Sequence, residues 1–240
     1  MKISFDDLHV VVTGGTGGLG IIVVEQLLKE GAFVSIPSHN EPDPDILKYF
    51  ESEHVDVVSG VDLTDESDTQ SFYDEAVSKF GRLWASLNIA GGFAMGKIGN
   101  TSLEVFMQQI RMNTVTCYNS CRAAVARIRE NGYGGGRIVT VVARPAMEPR
   151  LGAGMTAYTA SKAAVAAFTQ ALAAELSGEQ IMVNAIAPMA IDTPANRKAM
   201  PNADFSKWVN PEEIAGQMMY LASRENTVSS GGVIPVFGKN

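Results

Sequence analysis

Apolar positions along the chain alternate between two spacings. Short unbroken runs rich in Val, Ile and Ala alternate with longer stretches in which apolar residues return every three or four positions. The short runs predict strands at His9–Thr13, Ala32–Pro37, Val55–Asp62, Trp84–Ala90, Arg137–Ala143, Ile181–Ala187 and Gly232–Phe237. The longer stretches predict helices at Gly18–Glu30, Asp45–Glu53, Ser67–Phe80, Ser102–Glu130, Thr156–Ser177 and Pro211–Ser223. The strands are mostly continuous apolar runs rather than alternating ones, as expected when helices cover both faces of a sheet. Alternating strands and helices imply parallel strands joined by right-handed crossovers. The reading is an α/β fold, a doubly wound parallel seven-stranded sheet with helices on both faces. No repeat or long linker divides the chain, so residues 1–240 are expected to form one domain. The segment Pro194–Asn210, rich in Pro, Asn and Ala, is the least regular and is expected to act as a mobile lid.

Composition narrows the partners. A net charge of −7 disfavours a nucleic-acid binder, which needs a basic face. It leaves room for small anions, because a helix N-terminus binds phosphate without any basic residue. No apolar run reaches the roughly 18 residues that span a bilayer, and the first residues lack the apolar run of a signal peptide. Cys117 and Cys121 form no disulfide framework and, without partnering histidines, make a poor metal site, so they are expected to be buried. A reducing cytoplasm is the expected location, with a small molecule as ligand and no metal, nucleic acid or membrane.

Two short motifs carry the chemistry. Thr13-Gly14-Gly15-Thr16-Gly17-Gly18-Leu19-Gly20 lies between the first strand and the first helix. Glycines there allow a tight turn and let a phosphate reach the free N–H groups at the helix start. Tyr158 and Lys162 open a later helix four residues apart, on one face. An ammonium beside a phenol favours phenolate, drawing a pKa of about 10 toward working pH. Such a tyrosine can protonate an alkoxide forming at a carbonyl carbon or deprotonate an alcohol. A Ser-His-Asp hydrolase is disfavoured, because no G-x-S-x-G elbow is present and the histidines are confined to positions 9, 39 and 54.

Taken in order, these motifs resemble the short-chain dehydrogenase/reductase family, with its Rossmann-type fold, over nearly the whole chain. Gly14, Gly18 and Gly20 match the family's T-G-x-x-x-G-x-G turn, and Tyr158 and Lys162 match its Y-x-x-x-K. Asn88-Ile89-Ala90-Gly91 resembles the N-N-A-G segment, with Leu87 in place of the first Asn. The resemblance implies Tyr158, Lys162 and Asn113 as catalytic residues, Asn113 supporting a proton relay. It implies a nicotinamide nucleotide held by Gly14, Thr16, Gly17, Gly18, Leu19 and Gly20. Ser38, His39, Asp62, Leu63, Asn88, Ala90 and Gly91 would line its adenosine and ribose side. Tyr158, Lys162, Pro188, Ile191 and Thr193 would meet its nicotinamide end. A homo-oligomer, tetramer or dimer, is implied as well.

The chain also departs from the family. The serine expected at the end of the fifth strand falls on Ala143 or on Pro145, depending on the alignment, and neither donates a side-chain hydrogen bond. Thr156 and Arg144 are conceivable substitutes. Loss of such a donor opens an alternative reading, a weak or silent nucleotide-binding redox sensor or scaffold. Dihydropteridine reductases lack the same serine, and their glycine-rich segment before the tyrosine resembles Ala146–Met155 here; that likeness implies a quinonoid ring among the candidate substrates. Met189 stands where the family commonly has Gly. The second strand ends Ser38-His39-Asn40, with neither the Asp that selects NAD nor an Arg that selects NADP, and the missing acid tilts the expectation to NADP.

Overall fold

The computed structural model describes residues 3–130 and 132–238. Seven parallel strands form one sheet in the order β3-β2-β1-β4-β5-β6-β7. They are β1 (His9–Thr13), β2 (Phe33–Ser38), β3 (Val55–Ser59), β4 (Leu83–Asn88), β5 (Gly136–Val141), β6 (Ile181–Pro188) and β7 (Val233–Val236). The order runs outward from β1 in one direction and from β4 in the other, so adjacent crossovers leave opposite ways and a crevice opens at the strands' carboxyl ends. Thr13 lies beside Asn88, and Asn88 beside Thr140, so the ends of the central strands are level there.

The helices are α1 (Gly18–Lys29), α2 (Pro44–Leu47), α3 (Glu66–Phe80), α4 (Leu103–Gln109), α5 (Thr116–Arg129), α6 (Arg144–Met147), α7 (Thr156–Glu175), α8 (Pro194–Ala199) and α9 (Pro211–Ala222). One apolar layer gathers Val10, Val12, Val23, Leu27, Ile186 and Met218 between the sheet, α1 and α9. The other gathers Val11, Phe72, Tyr73, Cys121, Val165 and Val183 between the sheet and α3, α5 and α7. Cys117 and Cys121 are buried free thiols in that second layer.

Three expected elements differ. The helix at Asp45–Glu53 shrinks to α2 and a 3-10 turn at Lys48–Phe50, because Pro44 starts it and Asp43 caps it but few buried contacts extend it. The long helix at Ser102–Glu130 is interrupted by a π-helical turn over Ile110–Val115 that carries Asn113. Pro194–Asn210 is more regular than its composition implies: Thr193 caps α8, and Asp204 caps a 3-10 turn at Phe205–Lys207. No helix among the described residues is long and apolar enough to cross a membrane.

Candidate active site at the carboxyl ends of the strands

A cavity of about 580 Å³ opens above β4, β5 and β6. Leu19, Ile89, Gly91, Gly92 and Phe93 line one side, Val141–Pro145 and Pro188–Ile191 another, and Leu151, Met155, Asn196 and Met200 the mouth. Tyr158 and Lys162 reach it from the first turns of α7. A cavity of this size, mainly apolar with few polar groups, suits a drug-sized ligand.

The glycine turn forms the wall at α1. Gly14 sits at φ +70°, and a Cβ there would lie 2.8 Å from the Ala90 nitrogen, so β1 and the segment after β4 touch backbone to backbone. A side chain on Gly20 would strike the Gly14 carbonyl. Gly17 caps α1 with no side-chain hydrogen bond, and no acid occupies the first turn. The free N–H groups of α1 and its positive dipole end therefore face the crevice with no side-chain cap among the described residues. This donor set fits the diphosphate of a dinucleotide. Thr16 and Gly18 complete the turn, with Gly18 packed 2.9 Å from the Thr193 methyl by the same measure. Among the described residues no cluster of His, Cys, Asp and Glu could hold a metal ion.

Lys162 is buried, and its ammonium donates to the Val141 carbonyl at 2.8 Å. Burial lowers its pKa to about 8. Burial also pushes the Tyr158 phenol up to about 12. This departs from the expected lowering: enclosure of the phenol by the cavity walls dominates, while the lysine is committed to a backbone carbonyl. Phe93 stacks edge-on against the Tyr158 ring, with centroids 4.9 Å apart. Asn113 is buried rather than on the surface. Its amide donates to the Gly92 carbonyl at 3.0 Å and to Ser161 Oγ at 3.1 Å, and its oxygen accepts from the Gly92 nitrogen at 3.0 Å. The π turn thus ties the segment after β4 to the Tyr158 helix.

The remaining expected residues divide. Pro188 and Ile191 line the cavity, and Thr193 caps α8 beside it. Ala90 donates its N–H to Thr13 Oγ1, closing the wall between β1 and β4. Asn88 turns inward instead, donating to Cys121 Sγ and accepting from Ser86 Oγ. At the far end of the crevice, Ser38 donates to the Asn40 carbonyl and Glu41 accepts from Ser59 Oγ. Asp62 accepts from the Thr64 hydroxyl and backbone, which with nearby His39 holds its carboxyl below the usual range. The Leu63 carbonyl accepts from Asn119. Thr156 is exposed and absent from the cavity wall, whereas Arg144 lines it. Phe93 carries no motif, and only the fold reveals it; Leu151 and Met155 lie in the stretch likened to dihydropteridine reductases, and Asn196 and Met200 in the segment expected to act as a lid. Ser161 falls inside the Tyr-x-x-x-Lys stretch, but its bond to Asn113 spans 48 residues.

Comparison with known proteins gives a consistent picture. The model of the short chain dehydrogenase family matches residues 8–204. A 3-beta-hydroxysteroid dehydrogenase of Comamonas testosteroni is 31% identical over 236 residues, covering 92% of this chain and 91% of its own length. A 3alpha-hydroxysteroid dehydrogenase of Mediterraneibacter gnavus is 29% identical, covering 95% of this chain and 94% of its own. The crystal structure of gox2181 superposes with a TM-score of 0.87 at 25% identity, covering 97% of this chain and 95% of that one. An apo short-chain oxidoreductase from Pseudomonas aeruginosa PAO1, described as containing an atypical catalytic center, matches in fold, with a TM-score of 0.86 at 21% identity over 98% of each chain.

Proposed function

Since the chain belongs to the short-chain dehydrogenase family and is an oxidoreductase of that type, we propose that a nicotinamide nucleotide bound in this crevice exchanges a hydride with a carbonyl, alcohol or quinonoid substrate. The observation that carries the reading is the meeting of Tyr158, Lys162 and the uncapped start of α1 around one apolar cavity. Tyr158 holds the proton. Its burial keeps the phenol neutral, so its oxygen delivers a proton to the substrate oxygen in reduction and receives it back in oxidation. Lys162 holds the nicotinamide ribose and places a cation near the phenol. Asn113 positions Gly92 and Ser161 and supports the proton relay from there. Gly14, Thr16, Gly17, Leu19 and Gly20 cradle the diphosphate, and Leu151, Met155 and Met200 exclude water and receive an apolar body.

The hydroxysteroid dehydrogenases among the relatives support an alcohol or ketone on an apolar ring system. For the nucleotide we favour NAD. Glu41, Asp43 and Asp45 follow β2, and residues 33–47 contain no Lys or Arg to pair with an extra phosphate. Residues 33–47 thus supply no Lys or Arg in support of the NADP expectation. We further propose that residues 1–240 act as one nucleotide-binding unit and assemble as a homotetramer. An apolar pit lined by Thr114, Val115, Tyr118, Val165 and Phe168, on the π turn, α5 and α7, supports the assembly.

One observation favours the alternative of a silent nucleotide-binding sensor or scaffold: Ala143 and Pro145, the two positions on which the family's serine could fall, both line the cavity and neither donates a side-chain hydrogen bond. Calorimetric titration with NADH and NADPH, on the protein and on Gly18→Val, tests the nucleotide claim. The expected result is tighter binding of NADH than NADPH, lost in the variant because its side chain meets Thr193. Binding of neither nucleotide would overturn the reading.

A further inference from the structure

The cavity differs in charge from the protein around it. The chain carries a net charge of −7, yet no Asp or Glu is among the described residues lining the cavity, while two cations are, Arg144 and Lys162. Lys162 is buried at the floor and committed to the Val141 carbonyl. Arg144 stands on the wall at the end of β5, where the fifth strand gives way to α6.

Its orientation is fixed from several sides. Nε donates to Glu148 Oε1 at 2.9 Å and Nη2 to Oε2 at 3.4 Å, so one edge of the guanidinium is bound by a carboxylate. The plane lies over the Phe237 ring, 4.7 Å from its centroid. Among the described residues Nη1 meets only the Met189 sulfur at 3.6 Å, a weak acceptor. A guanidinium presents two bidentate edges, and here the edge built from Nη1 and the second N–H of Nη2 is left for another oxyanion.

We propose that Arg144 is an anion-recognition residue of the substrate site, and that the enzyme selects substrates joining an apolar body to a carboxylate. The apolar walls receive the body, and Arg144 anchors the carboxylate away from Tyr158. This fixes which substrate atom faces the phenol and compensates in orientation for the hydroxyl absent at Ala143. The inference rests on the cavity being the substrate site of the proposed oxidoreductase.

The test is equilibrium binding, which needs no turnover. The full-length protein is titrated by calorimetry with 4-tert-butylbenzoate and with its neutral isostere 4-tert-butylbenzamide, with and without saturating NADH. A charge-assisted bidentate contact predicts that the benzoate binds about tenfold more tightly or better. The preference falls to within about threefold in Arg144→Met and survives in part in Arg144→Lys, which keeps the cation and the stem. A wild-type protein indifferent to the charge, or an Arg144→Met protein that keeps the preference while melting like wild type, overturns the inference. Tyr158→Phe retains the benzoate preference. Failure of the proposed reaction and failure of this anchor are therefore read out separately.

Discussion

The Tyr158–Lys162 pair shows both what sequence spacing supplies and what it omits. Four residues on a helix put the two on one face, which is legible directly. Their protonation depends on what encloses them, and the enclosing groups come from distant loops such as the one bearing Phe93. The lysine reports that enclosure. Its pKa is depressed to about 8, so between there and 10.5 the unfolded chain holds a proton that the folded chain has released. Stability therefore rises with pH across this window, by about 3 kcal/mol in full, and is lost again as pH falls toward 8. Tyr158, pushed up to about 12, acts oppositely above pH 10. Urea unfolding at pH 7 and pH 9.5 should show this rise in the natural protein and little of it in Lys162→Met, which should also be more stable than the natural protein at pH 7. Asn88 marks the opposite limit. Its place near the end of a strand is readable, yet its side chain faces Cys121 and Ser86 in the interior, a direction that depends on which residues fill the second layer.

At the scale of elements, the central strands were legible within two residues because each is a buried run, and half-buried β3 ends at Ser59, short of the expected Asp62, whereas the helix interruptions were not legible. The stretch Ser102–Glu130 keeps helical spacing throughout, so nothing in its pattern announces the π turn at Ile110–Val115. The turn is fixed from outside, by three hydrogen bonds from Asn113 to Gly92 and Ser161. Asn113→Ala leaves the Gly92 amide and carbonyl without these partners. It should cost about 2–3 kcal/mol in chemical denaturation. It should also lower turnover more than nucleotide affinity, since the displaced segments adjoin Tyr158. Equal stability of variant and natural protein would mean the turn stands without this side chain. The glycine turn is the reverse case, legible as a motif because its glycines answer steric demands: a methyl at Gly20 would collide with the Gly14 carbonyl. Gly20→Ala should abolish nucleotide binding in the same titration and lower the melting temperature.

At the scale of the molecule, alternation of strands and helices dictated the parallel sheet, and the strand order then placed the crevice. The cavity's makeup was legible where a motif marks it, as at Leu19, Gly91, Tyr158, Lys162, Pro188 and Ile191, and not at Phe93, which comes from a loop that carries no pattern. Oligomeric state likewise depends on exposed faces. Tyr118 is 48% exposed on α5 and stacks near Phe168 on α7, beside the apolar pit. Placing a charge there should be costly if a second copy covers it. Light scattering should give a tetrameric mass for the natural protein and a smaller one for Tyr118→Glu; a monomeric natural protein rules the assembly out. The central claim is that a nicotinamide nucleotide and a proton from Tyr158 act together in this cavity. It is tested most directly by following NADH consumption at 340 nm with ketosteroids, apolar oxo-acids, quinonoid dihydropterin, quinones and β-ketoesters, using the natural protein and Tyr158→Phe side by side. Turnover that falls by about a hundredfold or more in the variant, with NADH affinity unchanged, is the predicted result. Turnover undiminished in Tyr158→Phe, or NADH bound tightly with none of these substrates reduced, would contradict it.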